Sequence, residues 1–579
     1  METKDNEEVE NGSNEKIDKK ILGFHEDSHP NTHLNQERNY TTKAPRVCER
    51  SLELPLHLRI IRATIYYLIK ILNIIYIPVF IHRMFESRKR CPPLDDPLLR
   101  ITATDLASAI RRREISCESV IKAYICRIKE VNRLLNAVID DRFEEALEDA
   151  RLVDKKLSDP KFIKDEDKIA RKFPLLGVPI TIKGSLAVKG LRHTSGTINR
   201  KEHHAEIDAE AVAWAREAGA IPLLVSNVPE LCMSWETTNK VIGTTKNPHD
   251  ITRTCGGSSG GEASLLGAGA SLLGLGSDLA GSLRLPAHYC GVWSHKPTPG
   301  VVSLDGHYPS CLHRDKWEAV FAVGPMTRYG SDLRTLLKII SVPEKREKLN
   351  LDRRIDIKSI KVYYSDFEEC YWQPNRHCSG AVKKVVGHLS NICGIQPQKT
   401  DFYLAAHGPD LAAIALSELE DVEDAFDGNA NGAFFELFRY TTLRSKHTFM
   451  LIICGVLRKI ARGASIKVRN KINKFIAKIR QEILELLGDD GVLIVPTFPI
   501  EAPKHGDVLK TAIFAGYLAI FNTLGLPVTN CPVGVTDKGL PVGIQVAAKP
   551  FGDNLTLTVA EEIERAFGGW IEPRGRYKK

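Results

Sequence analysis

Two glycine-rich segments carry the residues best suited to chemistry: Cys255-Gly-Gly-Ser-Ser-Gly-Gly-Glu-Ala263 and, after a run of small residues to Leu275, Gly276-Ser-Asp-Leu-Ala-Gly-Ser-Leu-Arg-Leu-Pro286. A serine hydroxyl is a weak nucleophile until a neighbouring base removes its proton, and flanking glycines permit sharp turns and close approaches that a Cβ would block. A flexible Gly/Ser linker is the bland reading. The apolar context, and a second turn that adds Asp278, Ser282 and Arg284, argue against it. Gly256-Gly-Ser-Ser-Gly260 also satisfies G-x-S-x-G, the strand-to-helix nucleophile elbow, which would make Ser258 the nucleophile and require a later acid and a later histidine. Histidines are plentiful, 18 in all, so the pattern alone leaves that reading open. A Walker loop is excluded, because no Gly-Lys-Ser/Thr follows the glycines.

A third reading comes from resemblance. Gly256 to Gly261, Gly276 to Ala287, Cys290-Gly and Lys296-Pro-Thr together resemble the pattern of the amidase signature family of Ser-Ser-Lys hydrolases. Similarity extends upstream to Gly177-Val-Pro-Ile-Thr-Ile-Lys183, Asn227-Val-Pro-Glu230 and Asn247-Pro, and downstream to Pro496–Pro503, Gly525–Pro532 and Gly539–Gln545, so nearly all of residues 93–579 is covered. His295–Val302, Leu487–Val492, Ala502-Pro-Lys-His505 and Phe567-Gly-Gly-Trp570 are similar to the branch of the family that acts on fatty-acid amides.

The resemblance implies an α/β fold, with a mixed twisted central β-sheet covered by many α-helices (α/β/α). It implies Lys183 as base, Ser258 as bridging serine behind a cis Gly257–Ser258 peptide, and Ser282 as nucleophile. Backbone N–H groups of Leu279, Ala280, Gly281 and Ser282, at the start of a helix, would form the oxyanion hole, with Ser277 and Asp278 holding Ser258 and the turn from behind and Arg284 structural. Neither a metal nor an organic cofactor is implied. The implied reaction cleaves a fatty-acid amide (a primary amide such as oleamide, or an N-acylethanolamine) to the free acid and ammonia or an amine, through an acyl-enzyme on Ser282.

The residue types suit that chemistry, since an amide leaves poorly and the catalyst must take a proton from the nucleophile and return one to the departing nitrogen. A neutral lysine relaying through a serine hydroxyl can do both, provided burial brings its pKa well below about 10.4. Three positions depart from the family pattern. Gly184 stands where an acidic residue commonly follows the lysine, Ser277 stands where the turn usually has Thr, and Ala280-Gly281 replaces a Gly-Gly pair. Gly184 and Ala280 motivate an alternative, a catalytically weak lipid-binding relative. A glutamine-dependent amidotransferase subunit is a further alternative, disfavoured by the amino-terminal segment and by the stretch from Gly525 to Trp570.

These residues need a scaffold. The apolar run Leu175–Ile182 reads as a buried strand, and Leu223–Val225, Val362–Tyr364, Val492–Val495 and Val528–Cys531 as further short strands. Helical patterns over Asp105–Arg112 and Ser119–Val131 precede the first strand, and the α and β alternation favours a layered α/β fold. Between Phe434 and Leu487 the chain is helical and basic. There Ile472, Phe475, Ile476, Ile479, Ile483 and Leu486 recur at helical spacing, so this helix packs one face on a core or, as the sharper alternative, on a lipid surface together with Phe449–Ile453.

At 579 residues with 43% hydrophobic content the chain can bury a large core. Lys plus Arg total 80 against 72 for Asp plus Glu, which is too mild a surplus for nucleic-acid binding; no nucleic acid is expected. Thirteen cysteines, without a C-x-x-C pair, read as free thiols. Residues 1–50 form a polar tail expected to be disordered. Within 55–90, the apolar stretch Ala63–Ile81 between arginines is a candidate transmembrane or interfacial anchor, with Lys70, Asn73 and Pro78 favouring the interface. The expected partners are a lipid amide and a membrane or lipid surface, with a homodimer left open. The resemblance points to the endoplasmic reticulum membrane or a lipid droplet.

Overall fold

The computed structural model describes residues 89–159, 166–310, 313–368, 373–400, 426, 432–462 and 465–573. The tail and nearly all of the candidate anchor lie outside the described residues. Among the described residues no helix is long and apolar enough to cross a membrane.

Eleven strands make one mixed sheet. In chain order they are β1 (Val138–Asp141), β2 (Pro179–Lys183), β3 (Ile221–Ser226), β4 (Leu273–Asp278), β5 (Trp293–Lys296), β6 (Ala322–Thr327), β7 (Lys361–Tyr364), β8 (Gln398–Lys399), β9 (Gly491–Pro496), β10 (Val528–Val535) and β11 (Pro541–Ala547). Their spatial order is β1-β3-β2-β4-β6-β5-β10-β11-β9-β7-β8. β2 runs parallel to both β3 and β4, while the central strands from β4 to β9 pair antiparallel. Every residue of β2, β3 and β4 is buried, which explains why β2 and β3 read as apolar runs with no polar alternation.

Helices cover the sheet, and their ends follow from local chemistry. α1 (Ala103–Arg111) starts at Thr102, whose hydroxyl accepts from the Asp105 N–H. α2 (Cys117–Leu135) is capped by Ser116 in the same way; it buries Val120, Ile121, Tyr124, Ile128, Val131 and Leu135 along one stripe and ends at Asn136 in the left-handed region. Two further helices, α3 (Gly260–Gly267) and α4 (Arg284–Cys290), are buried on all sides and follow the two glycine-rich segments.

The basic region resolves into α5 (Gly432–Thr441), α6 (Phe449–Arg462) and α7 (Ile466–Leu487). On α7, Ile472, Ile479, Ile483 and Leu487 are buried, and Phe475, Ile476 and Leu486 pack against the core that holds Ile479, Ile483 and Leu487. The helix therefore spends this stripe on the protein interior, with Ile466 at its start left exposed. Leu451 and Ile452 of the Phe449–Ile453 stretch are likewise fully buried. Of the exposed apolar side chains in this region, five sit on α5 and the turn after it, at Phe434, Phe435, Phe438, Tyr440 and Leu443, while α6 exposes Leu457 and α7 exposes Ile466 at its first residue. Hydropathy pointed to Phe449–Ile453 because it is the more apolar run, but that run has a tertiary partner and α5 presents its phenylalanines to solvent.

Truncating α7 on its core face separates packing from propensity. Ile483→Ala is expected to cost about 2–5 kcal/mol through lost burial and a cavity, whereas exposed Lys474→Ala should stay within about 0.5 kcal/mol. Thermal melting of the two variants against the parent checks this.

Candidate active site

β2 ends on Lys183, and adjacent parallel β4 ends on Ser277 and Asp278, so these side chains emerge together at the carboxyl ends of neighbouring strands. That crevice is where open α/β sheets generally bind ligands. Lys183 is wholly buried, with Nζ 2.8 Å from Ser258 Oγ, 2.8 Å from Ser277 Oγ and 3.4 Å from the Ser277 carbonyl oxygen. Burial lowers its pKa from the ordinary lysine value, and Cys232, Asp278 and Glu262 only partly oppose the shift.

Ser258 follows a cis Gly257–Ser258 peptide and leads into α3. Its neighbour Ser259 binds the two glycine-rich segments together. The Ser259 N–H donates to the Ser282 carbonyl at 3.2 Å, its hydroxyl donates to the Ser277 carbonyl at 3.3 Å, and it accepts from the Ser277 N–H at 3.4 Å. Ser282 is buried in the turn just before α4. Ser277 contacts Lys183 directly, so the structure puts it beside the amine, where the resemblance implied support of Ser258.

Asp278 organises the turn. Its carboxylate accepts from the N–H groups of Gly281 at 2.7 Å and Leu283 at 3.0 Å, from Arg284 Nε and Nη2 at 3.0 Å each, and from Asn522 Nδ2 at 3.0 Å. Burial alone would raise this carboxyl, but the charge and hydrogen bonds of Arg284 hold it well below the ordinary carboxylate range. Arg284 in turn donates to Gln545 Oε1 at 2.8 Å and Asn522 Oδ1 at 2.6 Å. Of the four N–H groups implied for the oxyanion hole, that of Gly281 donates to Asp278. Among the described residues, nothing accepts from the N–H groups of Leu279, Ala280 or Ser282.

Two of the departures from the family pattern, Ala280 and Gly184, have physical explanations. Gly281, at φ +100, takes the left-handed conformation, and a Cβ there would meet Leu518 at 2.5 Å; Ala280 stays out of that region and bears no such strain. At Gly184 an added Cβ would lie 2.5 Å from Ile139 Cδ1 and 2.6 Å from the Ser226 carbonyl oxygen. No acidic side chain fits there.

The nucleophile elbow predicts a histidine on Ser258, and here the partner is an amine. Three contributors escaped sequence reasoning: Asn522 on α8 (Gly516–Thr523), Gln545 on β11, and His307, whose Nε2 lies 3.0 Å from Ser277 Oγ. For Asn522 and Gln545 a signal existed, a lone polar residue inside an apolar element, which must find buried partners. Among the described residues no three His, Cys, Asp or Glu side chains converge as a metal site would require.

The fold is that of a known class of hydrolase: a solved fatty acid amide hydrolase superposes with a TM-score of 0.67 over 82% of this chain and 86% of its own, at 20% identity. The family model described as Amidase matches residues 119–557. Fatty-acid amide hydrolase 2 of Homo sapiens is 38% identical over 493 residues, covering 83% of this chain and 92% of that protein. Fatty-acid amide hydrolase 2-B of Danio rerio is 39% identical over 500 residues, covering 84% and 93%. The chain belongs to the amidase signature family and is a hydrolase acting on amide C–N bonds.

Filling the space at Gly184 should damage the site. Gly184→Asp is expected to destabilise the protein by about 1–3 kcal/mol through overpacking against a backbone oxygen, and to lower activity. Melting and turnover of this variant against the parent test it.

Proposed function

We propose that the protein hydrolyses fatty-acid amides to free fatty acid and ammonia or an amine, with Lys183, Ser258 and Ser282 as the reacting groups. The observation that carries this reading is the 2.8 Å contact between the fully buried Lys183 amine and Ser258 Oγ. A lysine that burial drives toward its neutral form has a lone pair to accept the Ser258 proton while Ser258 accepts that of Ser282. The Ser282 oxygen then attacks the amide carbonyl carbon. The oxyanion is met by the N–H groups of Leu279, Ala280 and Ser282, held in a turn that Asp278 and Arg284 keep rigid. As the tetrahedral intermediate collapses and the C–N bond breaks, the proton on Lys183 returns through Ser258 to the leaving nitrogen. Water repeats the sequence on the acyl-enzyme, releasing the fatty acid and restoring Ser282. Similarity to two fatty-acid amide hydrolases at 38% and 39% identity supports the lipid substrate class.

Hydrolysis of oleamide and of a matched oleoyl ester by the parent, Lys183→Ala, Ser258→Ala and Ser282→Ala is the decisive comparison. The parent should cleave the amide and carry a fluorophosphonate adduct on Ser282. Ser282→Ala should be inactive. Lys183→Ala should lose about 100- to 10,000-fold on the amide and less on the ester, whose leaving group needs less help. Because the base works only when neutral, kcat/KM should fall as pH drops through the lowered lysine pKa and level off above it. An adduct on Ser258 would favour the elbow reading. A folded protein that binds oleamide without turnover would favour the lipid-binding alternative.

We further propose that the protein works at a membrane or lipid surface, with the endoplasmic reticulum membrane or a lipid droplet as its location. Support comes from α5 and the turn after it, where Phe438 is 66% and Leu443 is 94% exposed. Cations flank the phenylalanines: Arg439 lies 5.7 Å from the Phe435 ring and Lys459 lies 5.6 Å from that of Phe434. Glu230 ties this hairpin to the site's surroundings by accepting from His447 Nδ1 at 2.8 Å and the Thr448 N–H at 2.7 Å. A chain lacking residues 1–90 should be more soluble yet still sediment with anionic phospholipid vesicles, and adding Phe434→Ser, Phe435→Ser and Phe438→Ser should release it. Unchanged sedimentation after those substitutions would remove α5 as the contact.

A further inference from the structure

We propose that His307 is a positioning residue of this centre: through the Ser277 hydroxyl it keeps the lone pair of Lys183 directed at Ser258. The inference rests on the triad proposed above. His307 lies in Asp305-Gly-His-Tyr-Pro309, a segment joined to the strand end by the Tyr308 N–H, which donates to the Ser185 carbonyl at 2.8 Å, and by a bridge between His307 and Leu186. Its ring is buried, with the Phe321 ring centroid 4.8 Å away in an edge-on arrangement.

Donor and acceptor roles follow from what each atom can do. His307 Nδ1 is 2.9 Å from the Pro309 carbonyl oxygen, which only accepts, so Nδ1 carries the proton. In the neutral ring Nε2 is then an acceptor, and at 3.0 Å its available donor is the Ser277 hydroxyl. Burial, reinforced by the nearby Lys183 and His193, lowers the ring's pKa to about 3, so it stays neutral at working pH. With its proton committed to His307, Ser277 Oγ faces Lys183 as an acceptor.

A neutral lysine has two N–H bonds and one lone pair. Ser277 Oγ at 2.8 Å and the Ser277 carbonyl at 3.4 Å take the two N–H groups, which leaves the lone pair for the Ser258 hydroxyl at 2.8 Å. Without His307 the Ser277 hydroxyl is free to turn and donate to Lys183, occupying the lone pair that Ser258 needs. Cys232 is a further hydrogen-bond partner of Lys183, and Asp278 and Glu262 act on it through their charge; none of the three competes for the Ser277 proton among the described hydrogen bonds.

The test uses the full chain with His307→Ala, His307→Gln, Ser277→Ala and the double variant Ser277→Ala/His307→Ala, read by oleamide turnover, by the rate of Ser282 labelling with a fluorophosphonate and by melting. His307→Ala should lower kcat and the labelling rate by about 10- to 100-fold with KM within about twofold. His307→Gln, whose side-chain oxygen can accept from Ser277, should recover most of that loss and keeps the test available if the alanine variant folds poorly. In the Ser277→Ala background, loss of His307 should have no further effect on either rate, because the residue through which it acts is gone. A His307 that merely packs would instead give a loss that persists without Ser277 and tracks the melting temperature; that result, or a labelling rate indifferent to His307→Ala, overturns the inference alone. An adduct on the parent at a residue other than Ser282 overturns the triad and this inference with it.

Discussion

The whole site depends on one electrostatic constraint, the burial of Lys183 at the end of a strand that has no exposed residue. An ammonium in that position would be stripped of water without a paired carboxylate in contact, so the fold favours the free amine. Everything adjacent must then supply hydrogen bonds suited to an amine with one lone pair. Two serines and a backbone carbonyl do so, and a neutral imidazole beyond them fixes which way one of those hydroxyls points.

The two carboxylates nearest this amine are treated in opposite ways. Asp278 is paired with Arg284 and stays ionised, and its charge is consumed in holding the N–H groups of Gly281 and Leu283. It stiffens the turn and is unavailable as a proton carrier. Glu262 has no cationic partner in contact, and burial pushes it up to about 7 against the Thr181 hydroxyl, which donates at 2.6 Å, and the field of Lys183. At about 7 this carboxyl is partly ionised near neutral pH, and its field, like that of Asp278, opposes the lysine's downward shift without reversing it. Separate pKa values for neighbouring groups, set by environment, are what acid and base roles require.

Part of the architecture was legible because strands buried on both faces carry an apolar signature. The runs at Leu223–Val225, Val362–Tyr364, Val492–Val495 and Val528–Cys531 became sheet strands, Leu175–Ile182 did so from Pro179 onward with a turn before it, and the stripe on α7 found its core. Lys183 and Ser258, far apart in sequence, were paired only through family resemblance, since spacing says nothing about which strand end meets which loop. What escaped depends on contacts that no local pattern encodes. Asn522 and Gln545 reach the turn from α8 and β11, and His307 reaches Ser277 from a loop of irregular backbone. Gly184 looked like a missing acid because motif comparison records the residue type and not the Ser226 carbonyl that would lie 2.6 Å from its Cβ.

The same asymmetry explains the surface. Hydropathy ranks Phe449–Ile453 above α5, yet exposure is decided by which face has a tertiary partner, and Leu451 and Ile452 have one. Leaving three phenylalanines of α5 in water forgoes their burial, roughly 1.5–3 kcal/mol for each side chain that could otherwise be enclosed. A fold that encloses Trp293, Tyr289 and Phe498 completely does not lack the means to cover them. A lipid phase recovers that free energy on contact, and the cations beside the rings suit an anionic surface. Glu230 fixes the hairpin bearing this patch to the chain segment that also carries Cys232, next to the buried amine. The apolar surface of α5 is therefore fixed to the same framework that positions Lys183.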